Sequence, residues 1–334
     1  MTIHDVAREA GVSIATASRA LRDRPEVRPE VRKRVHEVAR RLGYRRNLVA
    51  RSLKEGRTRT IGLLLPDPAG NPYYGIVSEA TRTRGQELGY DTFVAYFAFD
   101  LSAFLEAALH AAQRQFDALV LYAPRDYSRE FRNRVPDNGA RAVSLDDITN
   151  SAAPTGVPFD LEVGRIAAGH LHELGHRRIA FLCAQAAVGP GTRESGYEAF
   201  MREAGLRCRF VHSPETVRGG RAAASAVLAD LDRPTAMIAR NDVSAFGVLR
   251  GLHEAGVRVP HDVSVVGCDN IELSAYSRPS LTTVDLRAGD VARLSVDWII
   301  ARIEGRTLGV PEGELPRPFL VVRESTGRAA GPGI

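Results

Sequence analysis

Side chains that could read the bases of DNA are concentrated near the start of the sequence. Arg19 carries a planar guanidinium that can donate to O6 and N7 of guanine together, a contact worth ~1–3 kcal/mol of base discrimination. Ile14 and Ala15 could touch thymine methyl groups. Polar side chains suited to the phosphate backbone surround them: Thr2, Ser13, Thr16, Ser18 and Arg22.

Short helices are predicted to hold these residues in place. Thr2 and Asp5 have the spacing of a capping box, and Gly11 would end the first helix. Ser13 can cap a second helix, which runs from about Ile14 to Leu21. A glycine turn between two short helices is typical of a helix-turn-helix, whose second helix lies in the major groove.

Apolar spacing predicts which faces of these helices are buried. On the second helix the inward residues are Ala17, Ala20 and Leu21. A third helix begins near Pro29, and its inward residues are Val31, Val35, Val38 and Leu42. Three-helix packets also occur as plain structural units, so the pattern alone leaves a purely structural role open.

Residues 47–53 indicate a further short helix. Asn47 can cap it, and Ala50 and Leu53 share one face. Two turns are marginal in water, so this segment could fold on binding, with Leu53 as a minor-groove wedge. A linker leucine that packs on the next domain is the alternative.

The remainder of the sequence alternates short apolar runs with helix-length stretches. The strand-like runs are 61–65, 92–97, 118–122, 142–145, 179–183, 236–239 and 263–266. Repeated β-α units predict parallel sheets with helices on both faces, and this number of strands predicts two such sheets.

Polar residues near the ends of these runs are candidates for ligand binding, because open parallel sheets bind ligands beyond the carboxyl ends of their strands. They are Asp67, Tyr73, Tyr74, Asp146, Arg193, Asn241, Asp242 and Asp269. Carboxylates, an amide and an arginine can bond neighbouring hydroxyls, and a tyrosine can lie against a ring. The set predicts a small polyhydroxylated or heterocyclic ligand, although Asn241 and Asp269 could instead cap helices.

Two enzyme motifs compete with this interpretation. His172-Glu173-Leu174-Gly175-His176 matches a zinc-protease pattern, but Gly175 is expected to end the helix before both imidazoles can meet a metal. Gly189-Pro190-Gly191 departs from the dinucleotide-binding spacing, because the next glycine is Gly196. We therefore expect no enzyme activity, no metal and no cofactor.

The charge of the sequence is unevenly distributed. Residues 1–60 carry 16 Lys and Arg against 7 Asp and Glu, whereas residues 61–334 carry 29 against 33. A basic leading segment predicts a polyanion partner. The apolar runs are shorter than the ~18 residues of a membrane span, and no signal peptide is evident, so a cytoplasmic protein without a membrane partner is expected.

Motifs along the whole chain resemble those of the lactose/galactose-repressor (LacI/GalR) family. The headpiece motifs are Asp5-Val6-Ala7, Ala10-Gly11-Val12-Ser13, Ser18-Arg19, Leu42-Gly43-Tyr44 and Ala50-Arg51-Ser52-Leu53. Those in the body include Asn71-Pro72-Tyr73-Tyr74, Asn241-Asp242, Asp269-Asn270 and Arg323-Glu324-Ser325. One departure is Arg46, where the family usually has proline.

The resemblance implies a homodimeric, sequence-specific transcriptional regulator, most often a repressor. It would bind a palindromic operator and a small-molecule effector, a sugar or alternatively a purine or other small polar metabolite acting as corepressor. By position, the effector contacts would be Tyr73, Arg193, Asn241 and Asp269.

The implied fold is an all-α helix-turn-helix headpiece and hinge helix, followed by an α/β core similar to periplasmic binding proteins, with two doubly wound parallel-sheet subdomains. The expected boundaries are a headpiece at 1–46, a hinge and linker at 47–59, an N-terminal subdomain at 60–157 plus 285–315, a C-terminal subdomain at 158–284 plus 316–328, and a disordered tail at 329–334.

Overall fold

The structure is a computed structural model. It describes residues 1–21, 23–44, 56–67, 69–98, 100–113, 116–123, 125–134, 142–144, 159–184, 189, 191–230, 232–306 and 316–329. The chain divides into two compact units, Met1–Thr58 and Arg59–Ile334, which we call the headpiece unit and the core unit.

Three helices form the headpiece unit: α1 (Ile3–Glu9), α2 (Ile14–Ala20) and α3 (Pro29–Arg41). Ala17 and Ala20 are buried and Leu21 packs against them, as the apolar spacing predicts. The inward stripe of α3 is also confirmed. The buried apolar residues of this unit are Val6, Ala7, Ala10, Ala17, Ala20, Val27, Val35, Val38 and Ala39.

Local hydrogen bonds fix the ends of the first two helices. The Asp5 carboxylate accepts from the Thr2 backbone N–H at 2.9 Å and from the Thr2 hydroxyl at 3.0 Å. Gly11 adopts a φ of +63°, which a glycine tolerates without strain, and so lets the chain turn. Ser13 Oγ then accepts from the Thr16 N–H at 3.1 Å and caps α2.

The core unit contains two sheets. The first consists of β1 (Thr60–Pro66), β2 (Asp91–Phe97), β3 (Ala118–Leu121) and β4 (Ala142–Ser144), all parallel in the order β2-β1-β3-β4. Its helices are α4 (Tyr73–Glu87), α5 (Leu101–Ala112) and α6 (Arg125–Arg134). We call this sheet and its helices the N-terminal lobe.

The second sheet has the order β10-β9-β8-β7-β5-β6. Its strands are β5 (Ile179–Cys183), β6 (Phe210–His212), β7 (Ala236–Ala239), β8 (Ser264–Asp269), β9 (Thr282–Asp285) and β10 (Phe319–Val321). Strands β5 to β9 are parallel, and β10 runs antiparallel at the edge. The two-sheet prediction is confirmed, but the antiparallel edge strand was not predicted.

Four of the described helices belong to the second sheet, and a fifth helix, later in the chain, packs on the N-terminal lobe. The C-terminal lobe contains α7 (Phe159–Glu173), α8 (Arg193–Glu203), α9 (Val217–Leu228) and α10 (Asp242–Glu254). The chain then passes through β9 into α11 (Ala288–Ile303), which packs on α4 and β3 in the N-terminal lobe. The chain thus crosses between the lobes more than once.

The residues of the zinc-protease pattern have structural partners. Helix α7 ends at Glu173, and Gly175 has a φ of +93°, so the predicted helix end is confirmed. The His176 ring is buried and bonds Thr235 Oγ1 at 2.9 Å and Ser264 Oγ at 3.0 Å, whereas the His172 ring stacks edge-on against Phe200. The described residues contain no cluster of three or more potential metal ligands.

The last described segment completes the C-terminal lobe. Ser325 is buried, and its hydroxyl donates to the Val265 carbonyl at 2.6 Å while accepting from the Thr282 N–H at 2.8 Å. The Gly327 carbonyl lies 3.1 Å from His176 Nε2. Ala329, the first residue of the expected tail, donates its N–H to the Leu174 carbonyl at 2.9 Å. Residues 330–334 lie outside the described residues.

Candidate DNA-contacting and effector-binding residues

One face of α2 is open to solvent. Ser13, Ile14, Ala15 and Arg19 are exposed, with Ile14 at 44%. Thr16 and Ser18 are partly exposed, and Thr2 is exposed at the start of α1. Because the alanines on the opposite face form the core, the predicted base-reading face and the packing face of α2 are separate. An exposed isoleucine and an exposed arginine on the same helix suit a groove that offers methyl groups and base edges.

Five of the predicted site residues lie outside the described residues: Arg22, Asn47, Ala50, Leu53 and Asp146. Their roles remain predictions.

Arg193 and Asp269 meet in the C-terminal lobe. Arg193 is the first residue of α8, where Thr192 caps the helix, and Asp269 is the last residue of β8. Arg193 Nη1 lies 3.6 Å from Asp269 Oδ1, and Arg193 Nε donates to Asp160 Oδ1 at 3.0 Å. Burial would lower the pKa of Arg193, but the two carboxylates raise it well above its usual range.

A hydrogen bond joins the two lobes at Asp269. Asn71 Nδ2 in the N-terminal lobe donates to Asp269 Oδ2 at 2.9 Å, and both side chains are buried. Asn71 Oδ1 accepts from the Tyr73 N–H at 3.0 Å and so fixes the start of α4. The rings of Tyr73 and Tyr74 pack edge to face with centroids 5.5 Å apart. Tyr73, Tyr74, Arg193 and Asp269 are therefore brought together where the lobes meet.

The surroundings of these groups perturb their titration. Burial raises the pKa of Asp269 to about 7, against the opposing effect of Arg193. Burial, followed by Tyr122 and Asp269, raises the pKa of Tyr73 well above its ordinary value. Tyr73 therefore stays neutral and can donate a hydrogen bond, whereas the Asp269 carboxyl titrates close to neutral pH.

Three other predicted residues have local partners. Asn241 Oδ1 caps α10 by accepting from the Ser244 N–H at 2.8 Å. The Asp242 carboxylate is buried and accepts from the Ser274 hydroxyl, the Thr283 hydroxyl and the Ile271 N–H. Asp67 is exposed and accepts from the Ala69 N–H at 2.9 Å. The structure thus gives Asn241 and Asp242 local roles beside the Arg193–Asp269 pair.

A second arginine extends the cluster. Arg240, which follows β7, donates from Nε to Glu194 Oε1 at 2.9 Å and from Nη1 to Glu215 Oε2 at 3.1 Å. Its carbonyl accepts from Arg193 Nη1 at 2.6 Å. Arg240, Glu194 and Glu215 were not among the residues predicted from the sequence. The position of Arg240, directly before Asn241 at a strand end, was the available signal.

A small mixed-charge cluster at the junction of two lobes, and a separate unit with an exposed helix face, define a regulator built from a helix-turn-helix and a ligand sensor. Residues 2–47 match the family described as bacterial regulatory proteins, lacI family, and residues 168–326 match a periplasmic binding protein-like domain. Similar curated proteins cover nearly the whole chain. The HTH-type transcriptional repressor PurR of Aliivibrio fischeri (strain MJ11) is 32% identical over 91% of this chain and 92% of its own length.

The ribose operon repressor of Escherichia coli (strain K12) is 30% identical over 97% of this chain and 99% of its own length. The crystal structure of the lac repressor dimer bound to operator and the anti-inducer ONPF superposes with a TM-score of 0.79 at 24% identity, covering 98% of this chain and 99% of that one. The chain belongs to the LacI family.

Membership of this family makes the protein a DNA-binding transcriptional regulator and not an enzyme. Within the described residues, no helix is long and apolar enough to cross a membrane.

Proposed function

We propose that the protein is a cytoplasmic, homodimeric repressor whose affinity for a palindromic operator is controlled by a small polyhydroxylated effector, a sugar. The observation that supports it most directly is the Asn71–Asp269 bond. This contact links the lobes through the same carboxylate that lies beside Arg193. A ligand that binds this carboxylate changes the contact between the lobes and so biases their relative angle.

The proposed DNA contacts fall into three groups. Ile14, Ala15 and Arg19 would meet the bases, and Asn47, Ala50 and Leu53 belong to the proposed hinge. The phosphate contacts would be Thr2, Ser13, Thr16, Ser18 and Arg22. Two copies of α2, one from each protomer, would read the two half-sites. The proposed effector contacts are Tyr73, Tyr74, Arg193 and Asp269, with Asn241 and Asp242 supporting them from α10. Asp67 and Asp146 complete the proposed set.

A purine is the second candidate effector, acting as corepressor. The similarity to a purine repressor supports it, and so do the two tyrosine rings beside Asp269. A purine can pair with a tyrosine ring as one aromatic ring with another, an interaction that a sugar lacks.

The experiment is selection of DNA sites from a random pool by the full chain, followed by affinity measurements on the selected site. Arg19→Ala is expected to lose ~1–3 kcal/mol at a guanine of the site and to relax the preference there, with weak salt-sensitive binding retained. Arg34→Ala, on the exposed surface of α3, is the matched control for the loss of one positive charge. If Arg19→Ala bound the site unchanged, the proposed docking of α2 would be wrong.

A screen of the full chain against sugars and nucleobases by thermal shift addresses the effector. A ligand at ~100 times its Kd stabilises the folded state by ~2.7 kcal/mol. Addition of the compound should then change operator affinity. A compound that binds the core without any effect on operator affinity would contradict its role as effector.

A further inference from the structure

The cluster around Arg193 and Arg240 contains more carboxylates than guanidinium groups. Two guanidiniums face four carboxyl groups: Asp160, Glu194, Glu215 and Asp269. This imbalance bears on the charge of the ligand that the cluster accepts, provided that the cluster has the effector role proposed above.

Both guanidinium groups already have acceptors. Arg193 uses Nε for Asp160 and Nη1 for the Arg240 carbonyl. Arg240 uses Nε for Glu194 and Nη1 for Glu215. A phosphate group is held by arginine donors that point at it in pairs, whereas the Nε and Nη1 donors of both arginines point at protein oxygens.

The acceptors of the cluster are in excess. Glu194 has no exposed surface, and its Oε1 accepts from Arg240, whereas its Oε2 has no hydrogen-bond partner within the described residues. A buried acceptor without a donor costs free energy until a donor reaches it. Carboxylates also repel a second anion, and this repulsion is strong in a poorly hydrated site.

We propose that this site takes an uncharged ligand rich in hydrogen-bond donors and excludes the phosphorylated form of the same compound. The selectivity for an uncharged ligand arises because each arginine is paired with carboxylates. The site therefore binds hydroxyl and N–H donors and repels a phosphate. The site would thereby distinguish a free sugar or base from its phosphate ester.

The pairing is testable without knowledge of the natural ligand, since inorganic phosphate serves as the probe. Glu194→Gln with Glu215→Gln keeps the shape around Arg240 but removes both compensating charges. The double variant is expected to gain a saturable rise in Tm with phosphate, about 5 °C at ~100 times its Kd, in buffers of matched ionic strength. The wild-type chain should show no saturable rise.

Glu203→Gln is the matched control. It removes the partner of Arg165, whose ion pair at 2.6 Å lies on the surface of the same lobe. One exposed guanidinium in water does not make a phosphate site, so this variant should respond like the wild type. If the double variant folds poorly, Glu215→Gln alone should show a smaller gain in the same direction.

A second arm compares ribose with ribose 5-phosphate, and glucose with glucose 6-phosphate, on the wild-type chain. A saturable rise with phosphate or with either ester in the wild type overturns the proposal. The proposal is also overturned if the folded double variant shows no saturable rise in Tm with phosphate. The pairing of the arginines with carboxylates would then not be the cause of anion exclusion. No DNA enters the measurement, so its outcome is independent of the operator experiments.

Discussion

Asp269 is the residue on which the two lobes and the candidate effector site converge. Its backbone φ is 126° and that of the next residue, Asn270, is 54°, both unusual for side chains other than glycine. Asp242 supports this turn by accepting the Ile271 N–H, and Asn270 Nδ2 donates to Asp285 Oδ2 at 2.7 Å. Strain held in place by neighbouring hydrogen bonds is typical of functional positions.

Asp269 should make the stability of the core unit depend on pH. Burial raises the pKa of this carboxyl from 3.8 to about 7, in a setting that also includes Arg193, Asp242 and Arg240. Between these values the folded chain holds a proton that the unfolded chain has released, so stability falls as the pH rises through this window. Asp269→Asn should therefore flatten the fall in Tm from about pH 5 to about pH 7.5.

Asp262→Asn is the control for this titration. The Arg258 side chain, through its hydrogen bonds, lowers the pKa of Asp262 to about 2, so its contribution to stability is lost only in more acidic solution. An equal slope in the wild-type chain and Asp269→Asn would show that Asp269 does not titrate in this range.

At the scale of elements, two glycines bring Arg193 to its partner Asp160. Helices α7 and α8 cross so closely that a Cβ on Gly164 would lie 1.9 Å from the Arg193 carbonyl oxygen. A Cβ on Gly196 would lie 2.0 Å from the Leu161 carbonyl oxygen. Any larger residue must push the helices apart, and Arg193 moves with α8.

Gly196→Ala is accordingly expected to destabilise the core unit by about 1–3 kcal/mol through overpacking and to weaken effector binding. Gly169→Ala is the control, because its Cβ would meet Phe200 at an ordinary 3.5 Å. Thermal unfolding of both variants gives the comparison. A Tm for Gly196→Ala that equals that of Gly169→Ala would contradict the close crossing.

Periodicity in the sequence was sufficient to predict most of the strands but not β6, β9 and β10. Runs such as 179–183 and 236–239 coincide with β5 and β7, since a continuous apolar run marks a strand buried on both faces. Strands β6, β9 and β10 were missed: β6 and β10 are three residues long and only partly buried, and β9, although buried, has the mostly polar sequence Thr-Thr-Val-Asp.

The same limit applies to the candidate site. Arg193 and Asp269 could be predicted because Asp269 ends a strand and Arg193 follows the loop after another, at the strand ends where parallel sheets bind ligands. Asp160 and Glu215 could not, because their roles depend on pairing with arginines 33 and 25 residues away. Only tertiary packing brings such partners together.

At the scale of the whole molecule, the division after Thr58 coincides with the change in charge. Residues 1–60 hold 16 basic and 7 acidic side chains, and the headpiece unit has a core of its own. We expect residues 59–334 to unfold cooperatively but to lose DNA binding. For the full chain, the logarithm of DNA affinity should fall linearly with the logarithm of salt concentration, because phosphate contacts release counterions.

The measurement is fluorescence anisotropy with labelled duplex over a series of salt concentrations. A core fragment that binds DNA with the salt dependence of the full chain would place the polyanion surface outside the headpiece unit.

The buried Ser325 also constrains the order in which the protein can be assembled during synthesis. Strands β5 to β9 leave the ribosome well before the segment that bonds Val265 and Thr282, since α11 is made in between. The headpiece unit needs nothing from that later segment for its own core. A nascent chain can therefore carry a folded headpiece unit while its core unit is still incomplete. During this interval of translation the regulator has its DNA-binding unit but not yet the folded core that would bind the effector.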